Sequence, residues 1–293
     1  TMGGLMILVG TISAILLWAD LRNVYVALAL AVTAGLGALG VADDLLKLRY
    51  KRTRQGPRGL DKKRKLIFQT LLGLLVGFVV WRQLGHTPFG HRLYIPFAAE
   101  QGLDLGVWII PWTAVVIAAA SNSVNISDGL DGLAGGCAVM IAPALGILVV
   151  FAGQPALSER FRVPHVPGCA EMLVVLAAMA GAVVGFLWYN CHPAQIFMGD
   201  TGSLALGGLI GFFALAAKQE VLLLLIGFVF VADMASVVLQ VLSFKTTGKR
   251  IFKIAPYHHA LQYRGWHENK ITVRLWMLAA FAAALGLATL TLR

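Results

Sequence analysis

The chain is built from long apolar runs, which are separated by short segments rich in charge, glycine or proline. Nine runs can be distinguished, at residues 2–19, 23–42, 66–81, 106–120, 133–151, 172–188, 204–217, 221–242 and 273–292. A helix needs about 20 apolar residues to cross a bilayer, and only helices or closed barrels satisfy their backbone polar groups inside lipid. We therefore predict an all-α polytopic membrane protein with about nine transmembrane helices.

The composition supports the same fold class. Of the 293 residues, 58% are hydrophobic and only 13% are charged, whereas an average soluble domain has about 45–50% apolar and about 25% charged residues. These values exclude a disordered chain and an ordinary soluble enzyme. The three cysteines are too few and too scattered for a disulfide framework or a metal cluster. No repeat or soluble region interrupts the runs, so we predict a single integral membrane domain over residues 1–293.

Positive charge is concentrated in two of the connecting segments. Residues 43–65 and 243–274 hold 17 of the 24 lysines and arginines, and the alternation of the runs places both segments on the same side. Because cytoplasmic loops carry the excess of Lys and Arg, this side is predicted to be cytoplasmic. The net charge of +10 then reflects orientation in the lipid bilayer, and no nucleic-acid partner is needed to explain it.

Two adjacent aspartates stand where the second run ends. Asp43 and Asp44 diverge by about 100° on a helix, so only one of them can share a face with Lys47, and Asp43 has the favourable i,i+4 spacing. Ionisable groups at membrane depth mark a functional site by default. Solvated boundary charge at a helix end is the alternative interpretation.

A second polar motif follows the fourth run. Its amide and carboxylate residues recur at every third position, at Asn122, Asn125, Asp128 and Asp131. Because this spacing drifts by about 180° over the motif on an ideal helix, we predict that Gly129 and Gly132 bend the chain so that the four side chains converge. An Asn/Asp-rich turn between two helices is the alternative.

Asp200 lies between two glycines just before the seventh run. With Gly199 and Gly202 on either side, its carboxylate is predicted to project from a helix mouth, where a divalent cation with phosphate could be held. Ser203 could cap this helix, and Phe197 could stack on a flat ring. The alternatives are a plain N-cap role for Asp200 or Ser203 and a packing role for Phe197.

The last basic segment contains the pair His258 and His259. Histidines near basic residues suit phosphate binding or proton transfer, whereas a zinc site is disfavoured because suitably spaced cysteine or histidine ligands are lacking. Surface histidines in a solvated loop are the alternative.

Lys65 closes the first basic segment, four residues before Gln69, so both side chains can lie on one helix face. We take Lys65 as a candidate ligand and interpret the cations that precede it as a topology signal.

Together these motifs resemble the polyprenyl-phosphate N-acetylhexosamine-1-phosphate transferase superfamily, and within it the phospho-N-acetylmuramoyl-pentapeptide transferases of bacterial wall synthesis. The resemblance is carried, in order along the chain, by residues 1–4, Asp43 and Asp44 with Lys47, residues 58–60, Lys65 and Gln69, residues 122–132, residues 197–203 and residues 255–266.

This resemblance implies a reaction. Phospho-N-acetylmuramoyl-pentapeptide would pass from its UDP-linked precursor to undecaprenyl phosphate, with release of UMP and formation of lipid I. The resemblance further implies Mg²⁺ as cofactor, a multi-pass location in the bacterial inner membrane with the active site on the cytoplasmic face, and a homodimer as a candidate assembly. The family has ten helices, so we expect the chain to lack the family's first one.

The resemblance also implies roles for individual residues. Asp200 corresponds to the metal-binding aspartate, and Asp43 to the residue that either deprotonates the lipid phosphate or acts as nucleophile. Asp44 corresponds to its neighbour near the phosphates, and His258 completes the implied catalytic set. The implied substrate-binding positions are Thr1, Lys47, Lys65, Asn122, Asn125, Asp128, Asp131, Asn190, Phe197 and His259, with Phe197 stacking on uracil.

The segment after the histidine pair departs from the family pattern. Ala260 and Gln262 stand where the family has a third histidine and a glutamate, which bears on sugar or peptide recognition. Two other functions stay open: a sister transferase that moves N-acetylglucosamine-1-phosphate, and an ion-coupled transporter. A transporter should carry its acids in mid-span rather than clustered on one face.

Overall fold

The computed structural model describes residues 2–53, 59–84, 87, 90–95 and 102–292. The helices in these ranges are α1 (Gly3–Trp18), α2 (Val24–Thr53), α3 (Lys62–Leu84), α4 (Ile109–Ser127), α5 (Leu133–Gly153), α6 (Pro155–Arg160), α7 (Met172–Asn190), α8 (Gly199–Ala216), α9 (Leu223–Ile226), α10 (Phe228–Thr247), α11 (Tyr257–Tyr263) and α12 (Glu268–Ala288). The strands are β1 (Arg92–Leu93) and β2 (Leu103–Asp104), which pair antiparallel.

The predicted all-α polytopic membrane fold is confirmed. Within the described ranges, eight helices are long and apolar enough to cross a membrane, and α1 is a shorter apolar helix. Each of the nine apolar runs corresponds to one of these helices. The eighth run differs in being divided at Gly227 into α9 and α10.

Several helices extend beyond the apolar run that predicted them. The second helix continues past residue 42 to Thr53, and α4 continues past residue 120 to Ser127. Backbone hydrogen bonds do not depend on side-chain polarity, so a helix continues where the apolar run ends. Asp43, Asp44 and Lys47 consequently lie within α2, and not in a loop.

Helix α8 is the central element of the bundle. All of its residues from Thr201 to Ala216 are buried, and α2 and α4 pack along it. The packing is close because glycines face the neighbouring helices: a Cβ on Gly207 would lie 2.5 Å from Ala120 O, and one on Gly208 would lie 2.1 Å from Leu36 Cδ1. The start of α8 is thereby placed among the ends of its neighbours. We call this end of the bundle, which carries Asp43, Lys65 and Asp200, the polar end.

The opposite end of α8 is also anchored by buried polar groups. Lys218 is 1% exposed, and its Nζ donates a hydrogen bond to Gly90 O over 2.9 Å. Burial lowers the pKa of Lys218 and raises the pKa of the buried Glu220 carboxyl. This hydrogen bond joins the end of α8 to the connection between α3 and α4.

Candidate active site

Three carboxylates meet at the polar end. Asp43 and Asp44 come from α2, Asp200 comes from the first turn of α8, and one oxygen from each lies within 4.8 Å of the others. Gly40 permits this approach, because a Cβ there would lie 2.4 Å from Asp200 O. Asp44 is held by α8 itself: Thr201 N and Thr201 Oγ1 donate to Asp44 Oδ2 over 3.0 and 2.7 Å.

Two lysines lie among these acids. Lys65 Nζ, from the start of α3, is 2.9 Å from Asp43 Oδ2 and 2.6 Å from Asp200 Oδ2. Lys47 Nζ is 2.8 Å from Asp200 Oδ1 and also forms an ion pair with Asp43, as the i,i+4 spacing predicted. Buried charge is tolerated only when it is paired and hydrogen-bonded. The three acids and two lysines therefore form one electrostatic unit, which we call the acid–lysine cluster.

Asp43 is the most enclosed member of the acid–lysine cluster. Its side chain is 0% exposed, and Leu60 N donates to its Oδ1 over 2.6 Å. The chain reaches this position through Gly59, whose φ of 137° is a conformation that favours glycine. Thr201 and the Leu60 amide were not predicted from the sequence. Of the predicted residues, Thr1 lies outside the described part of the chain, as does Arg58 of the motif at 58–60.

The motif at the end of α4 spreads over several neighbours. Asn125 Nδ2 donates to Ser203 Oγ over 2.8 Å, and Asn122 Nδ2 donates to both Gln69 Oε1 and Ala118 O. Gln69 is fully buried. Ser203 Oγ donates to Gly199 O, four residues earlier, and α8 already begins at Gly199. The predicted capping role of Ser203 was therefore wrong, because the helix starts a full turn before it.

Asp128 ends α4 and lies against the start of α8. Burial raises the pKa of its carboxyl to about 8, and the nearby Asp200 and Asp44 act in the same direction, opposed by a hydrogen bond from the Gly199 backbone. Asp128 therefore borders the acid–lysine cluster, and its carboxyl is mainly protonated at neutral pH.

Asp131 belongs to a second polar group. Its Oδ2 accepts a hydrogen bond from Ala194 N and lies 3.0 Å from His192 Nδ1, while its own N–H donates to Glu268 Oε1. Gly132, at φ 70°, turns the chain here, and its N–H donates to Asn190 Oδ1. The predicted convergence of all four residues of the motif was thus wrong: Asn125 and Asp128 contact α8, whereas Asn122 contacts α3 and Asp131 contacts the α7–α8 connection.

Phe197 presents an open aromatic ring at the edge of the site. The side chain is 51% exposed, and its backbone is held by α1, because Gly3 N donates to Phe197 O over 2.9 Å. The next residue is held in the same way, by a 3.0 Å bond from Gly4 N to Met198 O. The ring is available for stacking while its backbone is fixed.

The histidine pair is enclosed to different degrees. His258 is 0% exposed, and its Nδ1 lies 2.8 Å from Asp233 Oδ2 of α10. His259 is partly buried, and its Nδ1 lies 2.7 Å from Gln262 Oε1. A Cβ on Gly129 would lie 2.5 Å from His258 Nε2 and 3.3 Å from His259 Nε2, so both rings face the turn after Asp128. The alternative of a solvated surface pair does not hold for His258.

Asp233 was not singled out from the sequence. It is a lone acid inside the eighth apolar run, 25 positions before His258, and no local spacing connects the two. Its position in an apolar run was a usable signal, because an acid at membrane depth requires a partner.

The helices and the acid–lysine cluster define a multi-pass membrane protein with a charged site at the ends of its spans, which is suited to a substrate carrying phosphate. A family model described as Glycosyl transferase family 4 matches residues 25–218, about two thirds of the chain. The chain belongs to this family. The match indicates a polyprenyl-phosphate sugar-1-phosphate transferase with lipid and nucleotide-sugar partners, and the superfamily that the motifs resemble is confirmed. The matched region includes the acid–lysine cluster and ends before the histidine pair.

Proposed function

We propose that the protein transfers phospho-N-acetylmuramoyl-pentapeptide from its UDP-linked precursor to undecaprenyl phosphate, which yields UMP and lipid I at the cytoplasmic face of the bacterial inner membrane. The observation that carries the proposal is the acid–lysine cluster, built from α2, α3 and α8 within the family match. The muramoyl branch is supported by three sequence motifs: residues 1–4, Lys65 with Gln69, and the segment from Pro256 through the histidine pair to Trp266.

The residues present fit a magnesium ion. Three carboxylates from two helices offer oxygens within 4.8 Å of one another, and carboxylate oxygen is the ligand type that Mg²⁺ binds beside substrate phosphates. Asp200, with Asp44 beside it, would hold the ion, which when bound would neutralise charge on the diphosphate. Lys47 and Lys65 already lie at the same oxygens, so they are placed to contact phosphate beside that ion.

The bond changes follow from the substrates. An oxygen of the acceptor phosphate attacks the phosphorus attached to the sugar, a new P–O bond forms, and the P–O bond to UMP breaks, with UMP keeping the electron pair. Such transfers depend mainly on positioning and charge stabilisation. Direct attack is favoured over a covalent aspartyl-phosphate because Asp43 is 0% exposed and both of its oxygens are already engaged, by the Leu60 amide and by the lysines.

The remaining side chains suit the nucleotide half of the donor. Phe197 offers an exposed ring for uracil, and Asn125 and Asp128, at the end of α4, contact the start of α8 just after that ring. Asp131, with His192 and Glu268, lies beside Asn190, and this polar group would supply hydrogen bonds to ribose or uracil.

The test is a substrate panel. The purified protein is supplied in detergent with undecaprenyl phosphate, Mg²⁺ and either UDP-N-acetylmuramoyl-pentapeptide or UDP-N-acetylglucosamine, and UMP is quantified by chromatography. We expect UMP only with the muramoyl donor, and none when EDTA replaces Mg²⁺. Release with UDP-N-acetylglucosamine alone would identify the sister transferase. Substrate-independent ion flux in liposomes without UMP release would favour a transporter.

A further inference from the structure

Asp233 is a buried carboxylate whose hydrogen bonds come mainly from one neighbour. It is 1% exposed and accepts three hydrogen bonds: from Ser127 Oγ over 2.8 Å, from His258 N over 3.2 Å and from His258 Nδ1 over 2.8 Å. Two of the three come from His258. In the part of the chain that the structure describes, His258 is also its only ion-pair partner.

These contacts determine which nitrogen of the ring carries a proton. An ionised carboxylate can only accept hydrogen bonds, so the ring nitrogen that faces Asp233 must carry hydrogen. The backbone N–H of His258 and the hydroxyl of Ser127 are donors to the same carboxylate, and they hold its plane in place. Nδ1 is thereby the protonated nitrogen, and Nε2 is the nitrogen left for another molecule.

Nε2 of His258 has no hydrogen-bond partner among the described residues, although the side chain is fully buried. Most buried polar groups are hydrogen-bonded, and an unsatisfied one in a folded protein calls for an explanation. The Gly129 backbone packs directly against Nε2, because a Cβ on Gly129 would lie only 2.5 Å from it. Gly129 is exposed and follows Asp128, which borders the acid–lysine cluster. The free nitrogen therefore lies beside the exposed turn that follows Asp128.

We propose that Asp233 is a positioning residue: by holding a proton on Nδ1 it fixes the tautomer and ring orientation of His258, so that the Nε2 lone pair can accept a hydrogen bond or proton from a protonated group of a phosphate-bearing substrate bound at Gly129. The identity of the substrate rests on the proposed function, but the Asp233–His258 contact is present without substrate. The same logic operates when an aspartate orients the histidine of a hydrolytic triad, where its conversion to asparagine keeps the geometry but selects the wrong tautomer.

The discriminating variant is Asp233→Asn. The backbone N–H of His258 requires an acceptor, so the oxygen of the new amide stays opposite that N–H. The NH₂ of the amide then faces Nδ1 as a donor. The ring must move its proton to Nε2. We expect kcat for UMP formation to fall on the order of 10²- to 10⁴-fold, whereas Asp233→Glu, which keeps a carboxylate, should recover most of this loss. The matched control is Ser236→Ala, which removes a hydrogen bond to Asp233 O without touching the histidine, and its kcat should stay within twofold of wild type.

A spectroscopic measurement separates this role from a merely structural one. ¹⁵N NMR of the histidine-labelled protein reports which ring nitrogen carries hydrogen, and the signal of His258 among the seven histidines is assigned by its loss in His258→Gln. We expect protonation at Nδ1 in the wild type and in Ser236→Ala, and at Nε2 in Asp233→Asn.

Two results would overturn the proposal: a wild-type ring protonated only at Nε2, or an Asp233→Asn variant with the changed tautomer and unchanged kcat. If Asp233→Asn does not fold, the proposal is tested by the wild-type tautomer and by whether kcat of Asp233→Glu stays close to that of wild type. If the wild-type protein released no UMP from any donor, the proposed function would fail, while the NMR result would still stand for or against the Asp233–His258 contact.

Discussion

Gly40→Ala is expected to damage catalysis from a position that touches no substrate. The added Cβ would lie 2.4 Å from both Asp200 O and Thr201 Cα, whereas ordinary contact between such atoms requires about 3.5 Å. The start of α8 must therefore move away from α2 by about 1 Å. A displacement of this size between reacting groups lowers the rate by about 100-fold, which corresponds to roughly 2.7 kcal/mol of transition-state stabilisation.

The effect on folding should be smaller than the effect on rate. Overpacking costs about 1–3 kcal/mol, and replacing a glycine within a helix by alanine returns about 0.5–1 kcal/mol. The variant should remain folded, with kcat for UMP release lowered about 100-fold and a smaller change in KM for the UDP-linked donor. The matched control is Gly185→Ala on α7, because a Cβ there has no atom within 4 Å among the described residues. If Gly40→Ala and Gly185→Ala both keep wild-type kcat, the close α2–α8 contact does not position the acids.

Other substitutions test single members of the site. Asp200→Asn should abolish Mg²⁺-dependent UMP release while leaving the melting curve in detergent near that of wild type; full activity would refute the metal role. Lys65→Ala removes a cation that lies 2.6 Å from Asp200 and should lower kcat/KM on the order of 10²- to 10³-fold, whereas the exposed Lys62→Ala should change it little; equal losses would reduce the basic run to a topology signal. Phe197→Ala should raise KM for the UDP-linked donor by the equivalent of about 1–3 kcal/mol of base stacking, with kcat nearly unchanged; an unaltered KM in steady-state kinetics would argue that the ring only packs.

The helices could be predicted because a segment that crosses a bilayer must be helical and apolar over about 20 residues, whether it faces lipid or neighbouring helices. The ends of the helices could not, since α2 continues through Asp43 and Asp44 to Thr53, where the side chains are polar but the backbone bonding is unchanged. Gly227, which divides the eighth run, is a small apolar residue and leaves no trace in hydropathy.

Local spacing predicted only the local part of the site. The Asp43–Lys47 ion pair followed from helix geometry, and it is present. The contacts of Lys65 with Asp200 join residues 135 positions apart, and spacing alone could not place them together. The same limit explains the wrong expectation for Asp131. A three-residue repeat fixes the angular positions of side chains on one helix, but it does not say which neighbouring elements those side chains contact.

The two anchored ends of α8 have a mechanical consequence. Thr201 is hydrogen-bonded to Asp44 at one end, Lys218 is hydrogen-bonded to Gly90 O at the other, and all residues from Thr201 to Ala216 between them are buried. A helix held at both ends cannot slide along its axis, so any movement needed to admit a long lipid and a large nucleotide must be taken up by helices other than α8. The amides of α8 should accordingly exchange slowly with and without substrate, and slowing of amide exchange on substrate binding should appear in the other helices.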